Sequence, residues 1–319
     1  MTDDVPRLVA KAREGHPRAV ARLISLVENA SPRLREVMAA LAPFTGQARV
    51  IGLTGAPGVG KSTVTSALVS AYRARGMRVG VLAVDPSSPF SGGALLGDRI
   101  RMGQHAGDDG VYIRSMATRG HLGGLAWAAP QAVRVLDAAG CDVVLVETVG
   151  VGQSEVDIAS QADTSVVLLA PGMGDGVQAA KAGILEIGDV FVVNKADRDG
   201  ADATVRELHH MLGLGEARAP GDWRPSVVKT AAARGEGVAE LAEALDKHRA
   251  WLEEHGVLAE RRAARAAREV ETIAVTALRE RIGDLRGDRR LGALAERITA
   301  GELDPYAAAD ELVRGLTES

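Results

Sequence analysis

The segment Gly55-Ala-Pro-Gly-Val-Gly-Lys-Ser62 constrains this chain more than any other, because of what flanks it. Before it stands a short β-rich apolar run, Val50 to Leu53. After it, Thr63 to Arg73 reads as a helix. The spacing is that of Gly-x-x-x-x-Gly-Lys-Ser/Thr in a strand–loop–helix setting. Glycines let successive backbone N–H groups turn inward around an anion. The N-terminus of the following helix adds a favourable dipole. The expectation is a phosphate cradle made by Gly55, Ala56, Pro57, Gly58, Val59, Gly60, Lys61, Ser62 and Thr63. Lys61 supplies a point charge at the β/γ-phosphates, and the Ser62 hydroxyl reaches Mg2+.

The rest of the sequence fits such a fold. Short apolar runs recur at Val79 to Val84, Val111 to Ile113, Val143 to Val146, Thr164 to Leu169, Val190 to Val193 and Ser226 to Val228. They are largely β-branched and alternate with helical stretches, as a parallel sheet buried on both faces requires. Residues 1–45 read as helices, with Pro17 just inside a helix start. After about Leu245 the strands stop. Residues 258–281 are rich in Ala, Arg, Glu and Leu, a strong helix composition. A last helix is expected from Asp304-Pro305, with proline at the first helical position. The fold expected is therefore α/β: a P-loop NTPase with a mostly parallel sheet flanked by helices and helical extensions at both ends. The expected divisions are 1–45 (N-terminal extension), 46–250 (nucleotide domain) and 251–319 (C-terminal arm).

Composition sets outer bounds. The 319 residues are long enough for a sizeable core. A net charge of −4 without a basic run gives no nucleic-acid footprint. One cysteine, Cys141, leaves no internal disulfide and no cysteine-cluster metal site. The acidic opening residues lack an apolar core, so no signal peptide is expected. No apolar run approaches the ~18 residues of a membrane span. The expected setting is cytoplasmic, with no membrane partner. Lysine and asparagine are scarce, at six and two residues, so their positions carry information.

Two of those scarce residues stand together in Asn194-Lys-Ala-Asp197, at the end of the run Val190 to Val193. The pattern Asn-Lys-x-Asp is the guanine-reading motif of GTPases. Guanine presents N1–H and N2–H2 side by side, and the Asp197 carboxylate can accept both. Adenine has no such pair and would leave a buried acceptor unpaired. The Lys195 stem can lie over the base plane, and Asn194 can tie this loop back to the phosphate loop. After the next run comes Thr230-Ala231-Ala232, where GTPases place a Ser-Ala-type loop whose backbone N–H meets the guanine O6. An ordinary strand-to-helix turn is an equal reading of Ala231 and Ala232.

Acidic residues stand where ligands bind in open α/β sheets, beyond the carboxyl ends of strands. Asp85 follows Val84, and Glu147 follows Val146. Glu147-x-x-Gly150 resembles the Asp-x-x-Gly switch of GTPases with Glu in place of Asp. Its carboxylate can hold Mg2+ through water. Asp98, in the polar loop 92–102, offers a third oxygen of the kind Mg2+ prefers, or else caps a helix. The glycine-loosened segment from Gly172 places Gln178 and Lys181 on one helical face, bordering the nucleotide or simply opening a solvated helix.

Further segments extend the pattern across almost the whole chain. They are Ala83-Val-Asp-Pro-Ser-Ser-Pro89, Gly97-Asp-Arg-Ile-Arg-Met102, Ser115-Met-Ala-Thr-Arg-Gly-His-Leu-Gly-Gly124, Glu147-Thr-Val-Gly-Val-Gly-Gln-Ser-Glu155, Lys181-Ala-Gly-Ile-Leu-Glu186 and Gly301-Glu-Leu-Asp-Pro-Tyr306. With these the chain resembles the MeaB/ArgK family, the GTPases associated with methylmalonyl-CoA mutase. The resemblance implies a homodimeric G protein of the SIMIBI class, which includes nickel-insertion and signal-recognition GTPases. It implies binding to an adenosylcobalamin-dependent acyl-CoA mutase, gating of cofactor loading, and protection of the mutase during turnover. GTP hydrolysis to GDP times these steps, slowly alone and faster with the partner. The resemblance puts Mg2+ at Ser62, Asp85, Asp98 and Glu147, and a further switch at Asp175 to Lys181. Catalytic roles are expected of Lys61, Asp98 and Glu147, with Lys181 as a candidate cation in cis. The C-terminal arm makes the dimer. One departure is Gly174-Asp175-Gly176, where the family has Gly-Asp-Glu. The other readings weighed are a metallocentre-assembly GTPase and a P-loop small-molecule kinase. Asn194-Lys-Ala-Asp197 argues against an ATP-using kinase, and the scattered histidines give no nickel cluster.

Overall fold

Seven strands carry the apolar runs. They are β1 (Arg49–Gly55), β2 (Val79–Pro86), β3 (Val111–Thr118), β4 (Val143–Thr148), β5 (Thr164–Leu169), β6 (Val190–Asn194) and β7 (Ser226–Thr230). A computed structural model of the chain describes residues 4–86, 103–105, 107–118, 124–148, 161–172, 184–214, 221–282 and 289–317. The strands form one sheet in the order β3-β2-β4-β1-β5-β6-β7, with every pairing parallel. The helices are α1 (Val5–Arg13), α2 (Pro17–Glu28), α3 (Leu34–Leu41), α4 (Lys61–Ala74), α5 (Gly124–Ala138), α6 (Ile184–Ile187), α7 (Ala201–Leu214), α8 (Val238–Glu254), α9 (Val257–Ile282), α10 (Arg289–Thr299) and α11 (Pro305–Thr317). Among the described residues no helix is long and apolar enough to cross a membrane.

The chain divides into two units, residues 1–265 and 266–319. In the first, alternate residues of each strand feed opposite layers. Val144 and Val146 pack with α1–α3 and α5, whereas Val143 and Leu145 pack with α4 and α8. Val167, Leu169, Phe191 and Val193 form a third cluster under α7. Each fully buried Val, Leu or Ile contributes about 1.5–3 kcal/mol. The N-terminal helices are thus part of the main core: Leu23, Ile24 and Val27 of α2 and Leu41 of α3 are fully buried against it.

β3 runs five residues beyond the apolar run that marked it, because it pairs with all of β2, from Val79↔Val111 to Pro86↔Thr118. Its polar Arg114 reaches Glu28 and Ser25 of α2. A charge is satisfied inside a strand by the N-terminal layer, which a criterion of continuous hydrophobicity does not anticipate.

At the amino ends of β5 and β6, opposite the phosphate loop, two buried aspartates anchor the sheet. Asp163 accepts from Val50 N at 3.1 Å and meets Arg249, Arg262 and Arg265 at 3.5, 2.7 and 3.1 Å. Burial by itself pushes its pKa up. The hydrogen bond from Arg262 and the charges of Arg265 and Arg262 outweigh that and hold it below the usual carboxylate range. Asp189 accepts from Ser165 N at 2.8 Å and from Nη1 and Nη2 of Arg261.

The second unit contains α10 and α11, closed over Leu294, Ala308 and Leu312. Asp304 caps α11 by accepting from Tyr306 N at 2.9 Å and Ala307 N at 3.2 Å. Arg297 pairs with Glu311 at 3.0 Å.

Candidate functional site

The register of the sheet assembles the site at the carboxyl ends of its central strands. Leu53 of β1 lies beside Glu147 of β4, and Gly55 lies beside Leu168 of β5. β1 ends at Gly55 with φ +144°, where an added Cβ would stand 2.3 Å from the Leu168 carbonyl oxygen. Only glycine fits there. Gly60, at φ +97°, turns the chain into α4, and its Cβ would stand 2.4 Å from Asn194 Nδ2. Two loops far apart in sequence therefore touch at a position that has no room for a side chain.

Lys61 opens α4 and is buried. Its ammonium donates to Gly55 O at 2.7 Å and Ala56 O at 3.1 Å, so its charge lies across the mouth of the loop. Ser62 Oγ donates to Glu147 Oε1 at 2.7 Å. Thr65 Oγ1 stands 3.0 Å from Glu147 Oε2 and 3.0 Å from Lys61 O. Ser62, Thr65 and Glu147 are all buried. A hydroxyl facing a buried carboxylate beside the phosphate loop is a donor set of hard oxygens, which suits Mg2+.

Across the loop, Asn194 closes β6. Its Nδ2 donates to Val59 O at 2.9 Å, and its Oδ1 accepts from Thr230 Oγ1 at 3.0 Å and Ala232 N at 3.2 Å. Lys195 adopts φ +58°, and its ammonium donates to Gly58 O at 2.6 Å. Asp197 pairs with Arg234 at 3.1 Å. The phosphate loop, the Asn194–Asp197 loop and the loop after β7 are thus one hydrogen-bonded body.

Ala231 and Ala232, expected to turn an N–H toward the guanine O6, stand in the loop after β7. Ala231 N donates to Glu236 O at 3.0 Å, and Ala232 N donates to Asn194. Both bonds hold the loop in shape. Pro57, Gly58 and Thr63 are exposed around the phosphate loop. Asp85 is the penultimate residue of β2 and pairs with Ala117 of β3, with its side chain outside the described residues. Asp98, Asp175, Gln178 and Lys181 lie outside the described residues. Sequence reading missed Thr65, Thr230 and Arg234. For Thr65 a signal existed: it is three residues past Ser62, on the same helical face.

Comparison with known proteins agrees with this geometry. The model of the family described as methylmalonyl Co-A mutase-associated GTPase MeaB matches residues 20–285. The chain belongs to the MeaB family. It is similar to a putative GTPase of Pyrococcus abyssi, 49% identical over 97% of this chain and 96% of that protein. It is likewise similar to a probable GTPase of Mycobacterium tuberculosis, 41% identical over 98% of this chain and 95% of that one. Among solved structures, one titled LAO/AO transport system kinase superposes with a TM-score of 0.74 at 25% identity, covering 99% of both chains. The MeaB family's P-loop GTPase fold is the fold described above.

Proposed function

We propose that this MeaB-family chain hydrolyses GTP to GDP and phosphate, and serves as a G-protein chaperone for an adenosylcobalamin-dependent acyl-CoA mutase such as methylmalonyl-CoA mutase. The observation that carries the GTPase reading is Asn194. It hydrogen-bonds the phosphate loop through Val59 and the loop after β7 through Thr230 and Ala232, which joins phosphate cradle and base reader in one site. The family's described association supplies the mutase.

The reaction breaks the bond from the γ-phosphorus to the β–γ bridging oxygen and forms a bond from a water oxygen to that phosphorus. The water's protons pass to the phosphate product and to solvent. Catalysis of this kind is positioning plus electrostatic stabilisation. The backbone N–H groups that the phosphate loop offers, all but that of Pro57, and the Lys61 ammonium bind the β- and γ-phosphates. Asp197 accepts the guanine N1–H and N2–H2. Ser62 and Glu147, completed by Asp85 and Asp98, are the residues that would hold Mg2+, which when bound neutralises charge developing on the phosphate oxygens. Lys181 is the candidate cation in cis. The remaining parts of the proposal are a slow intrinsic rate raised by the partner, gating of cobalamin loading, and a homodimer made by the arm 251–319. The domain division 1–45, 46–250 and 251–319 belongs with it.

Phosphate release from GTP and from ATP tests the hydrolytic reading, with Lys61→Ala as the control. GTP turnover that is absent with ATP and lost in Lys61→Ala is the expected result. Equal turnover of ATP, or turnover that survives Lys61→Ala, overturns it.

A further inference from the structure

Glu147 is held at both carboxylate oxygens from α4. Oε1 faces Ser62, the residue assigned to the metal. Oε2 faces Thr65 Oγ1 at 3.0 Å. Thr65 is fully buried, and its hydroxyl has two acceptors within reach, Glu147 Oε2 and Lys61 O. A hydroxyl carries one proton, and a carboxylate is the stronger acceptor, so the proton goes to Glu147. Glutamate has one more rotatable bond than aspartate. That extra bond gives the carboxylate more freedom to move, and the hydrogen bond to Thr65 adds a point of attachment that restricts it. Ser62 and Thr65 are i, i+3 on α4, so one rigid helix face holds both oxygens at once.

We propose that Thr65 is a positioning residue: by holding Oε2 of Glu147 it fixes Oε1 toward Ser62, and so sets how tightly Mg2+ binds beside the nucleotide. This rests on the reading that Ser62 and Glu147 hold Mg2+. A group that acts only through the carboxylate affects nucleotide binding when the metal is present and leaves it alone when the metal is removed. A packing role affects both.

The test is the release rate of a fluorescent GDP analogue from the full-length chain, measured across a Mg2+ series and in EDTA. The variants are Thr65→Val, which keeps the shape and removes the hydroxyl, and Thr65→Ser, which restores the hydroxyl. The wild type should release GDP more slowly as Mg2+ rises. Thr65→Val should need about tenfold more Mg2+ for the same effect, the loss of one charge-assisted hydrogen bond. Its rate in EDTA should match the wild type, and Thr65→Ser should follow the wild type throughout. If Val at 65 prevents folding, Thr65→Ala carries the same readout. An unchanged Mg2+ midpoint in the variant overturns the role of Thr65, as does an equal change in Mg2+ and in EDTA. A wild type indifferent to Mg2+ overturns the magnesium reading itself, and the role of Thr65 with it.

Discussion

Removing the Asn194 side chain should separate the two halves of the nucleotide site. In Asn194→Ala three partners lose their hydrogen bonds together: Val59 O, Thr230 Oγ1 and Ala232 N. The first two bonds are 2.9 and 3.0 Å long and buried, and the third is 3.2 Å. Each bond contributes about 0.5–1.5 kcal/mol net, and a buried group left unpaired costs about 1–3 kcal/mol. Water entering the space left by the amide recovers part of this, so a loss of about 2–4 kcal/mol is expected. For a domain of this size that lowers the melting midpoint by roughly 2–4 °C for each kcal/mol. Loss of the tie to Val59 also frees the phosphate loop from the base-reading loop, and GDP affinity should fall at least about tenfold, or about 1.4 kcal/mol. Thermal denaturation and equilibrium titration with a fluorescent GDP analogue measure the two effects. A stability loss below about 0.5 kcal/mol, the size expected of an ordinary surface substitution, refutes the hydrogen-bond reasoning. Unchanged GDP affinity in a destabilised variant refutes the claim that Asn194 joins the two loops.

Asp197→Asn replaces an acceptor-only carboxylate with an amide that donates on one side. Guanine nucleotide affinity should fall by one to two orders of magnitude while xanthine nucleotide, with an oxygen at C2, gains relative to it; parallel losses for both bases count against the role of Asp197. His248 is fully buried, stacks near Trp223 and Trp251, and has its pKa pushed down to about 4, first by burial. It stays neutral in the fold while the unfolded chain takes up a proton near 6.5. Its contribution is complete above about pH 6.5 and is lost as pH falls from there toward about 4, by about 3 kcal/mol in all. Denaturant midpoints at pH 7.5 and 4.5 should therefore differ less in His248→Gln than in the wild type, and parallel shifts would contradict this. Asp163→Asn removes the charge facing Arg249, Arg262 and Arg265 and should cost about 3–5 kcal/mol at pH 7. Because the folded pKa of Asp163 is depressed, its contribution is present above its unfolded value and lost as pH falls through the folded one. The gap between the two proteins should hold from pH 7 down to about pH 4 and narrow only in stronger acid, as denaturant titrations at pH 7 and well below pH 3.8 will show.

Much of the fold was legible because a sheet covered on both faces leaves a plain trace. Each strand except β3 shows as an unbroken apolar run of the observed length to within about two residues at either end. β3 was cut short in the sequence because Arg114 finds its partner Glu28 on α2, and a run of hydrophobic residues says nothing of a partner 86 positions earlier. Helix starts were legible at Pro17, where proline stands at the start of the helix, and at Asp304-Pro305, where a capping aspartate precedes it. The phosphate loop and the Asn194–Asp197 loop were legible because rare residue types stand at fixed spacing. Thr65 left only its i, i+3 spacing from Ser62 as a trace and Thr230 left none, since threonine is common and their meaning lies in contacts with Glu147 and Asn194 from other strands. The same holds for Asp163 and Asp189. Either would serve as a turn residue before a strand, and nothing nearby announces the arginines of α8 and α9 that close on them.

GTP turnover by the full-length chain with and without a purified adenosylcobalamin-dependent acyl-CoA mutase from the same source, ATP serving as the control, is the most direct test of the link between this site and a mutase. Slow GTP hydrolysis that rises when the mutase is added, with no turnover of ATP, is the predicted result. GTP hydrolysis that is the same with and without the mutase, across concentrations at which the two proteins would associate, contradicts it.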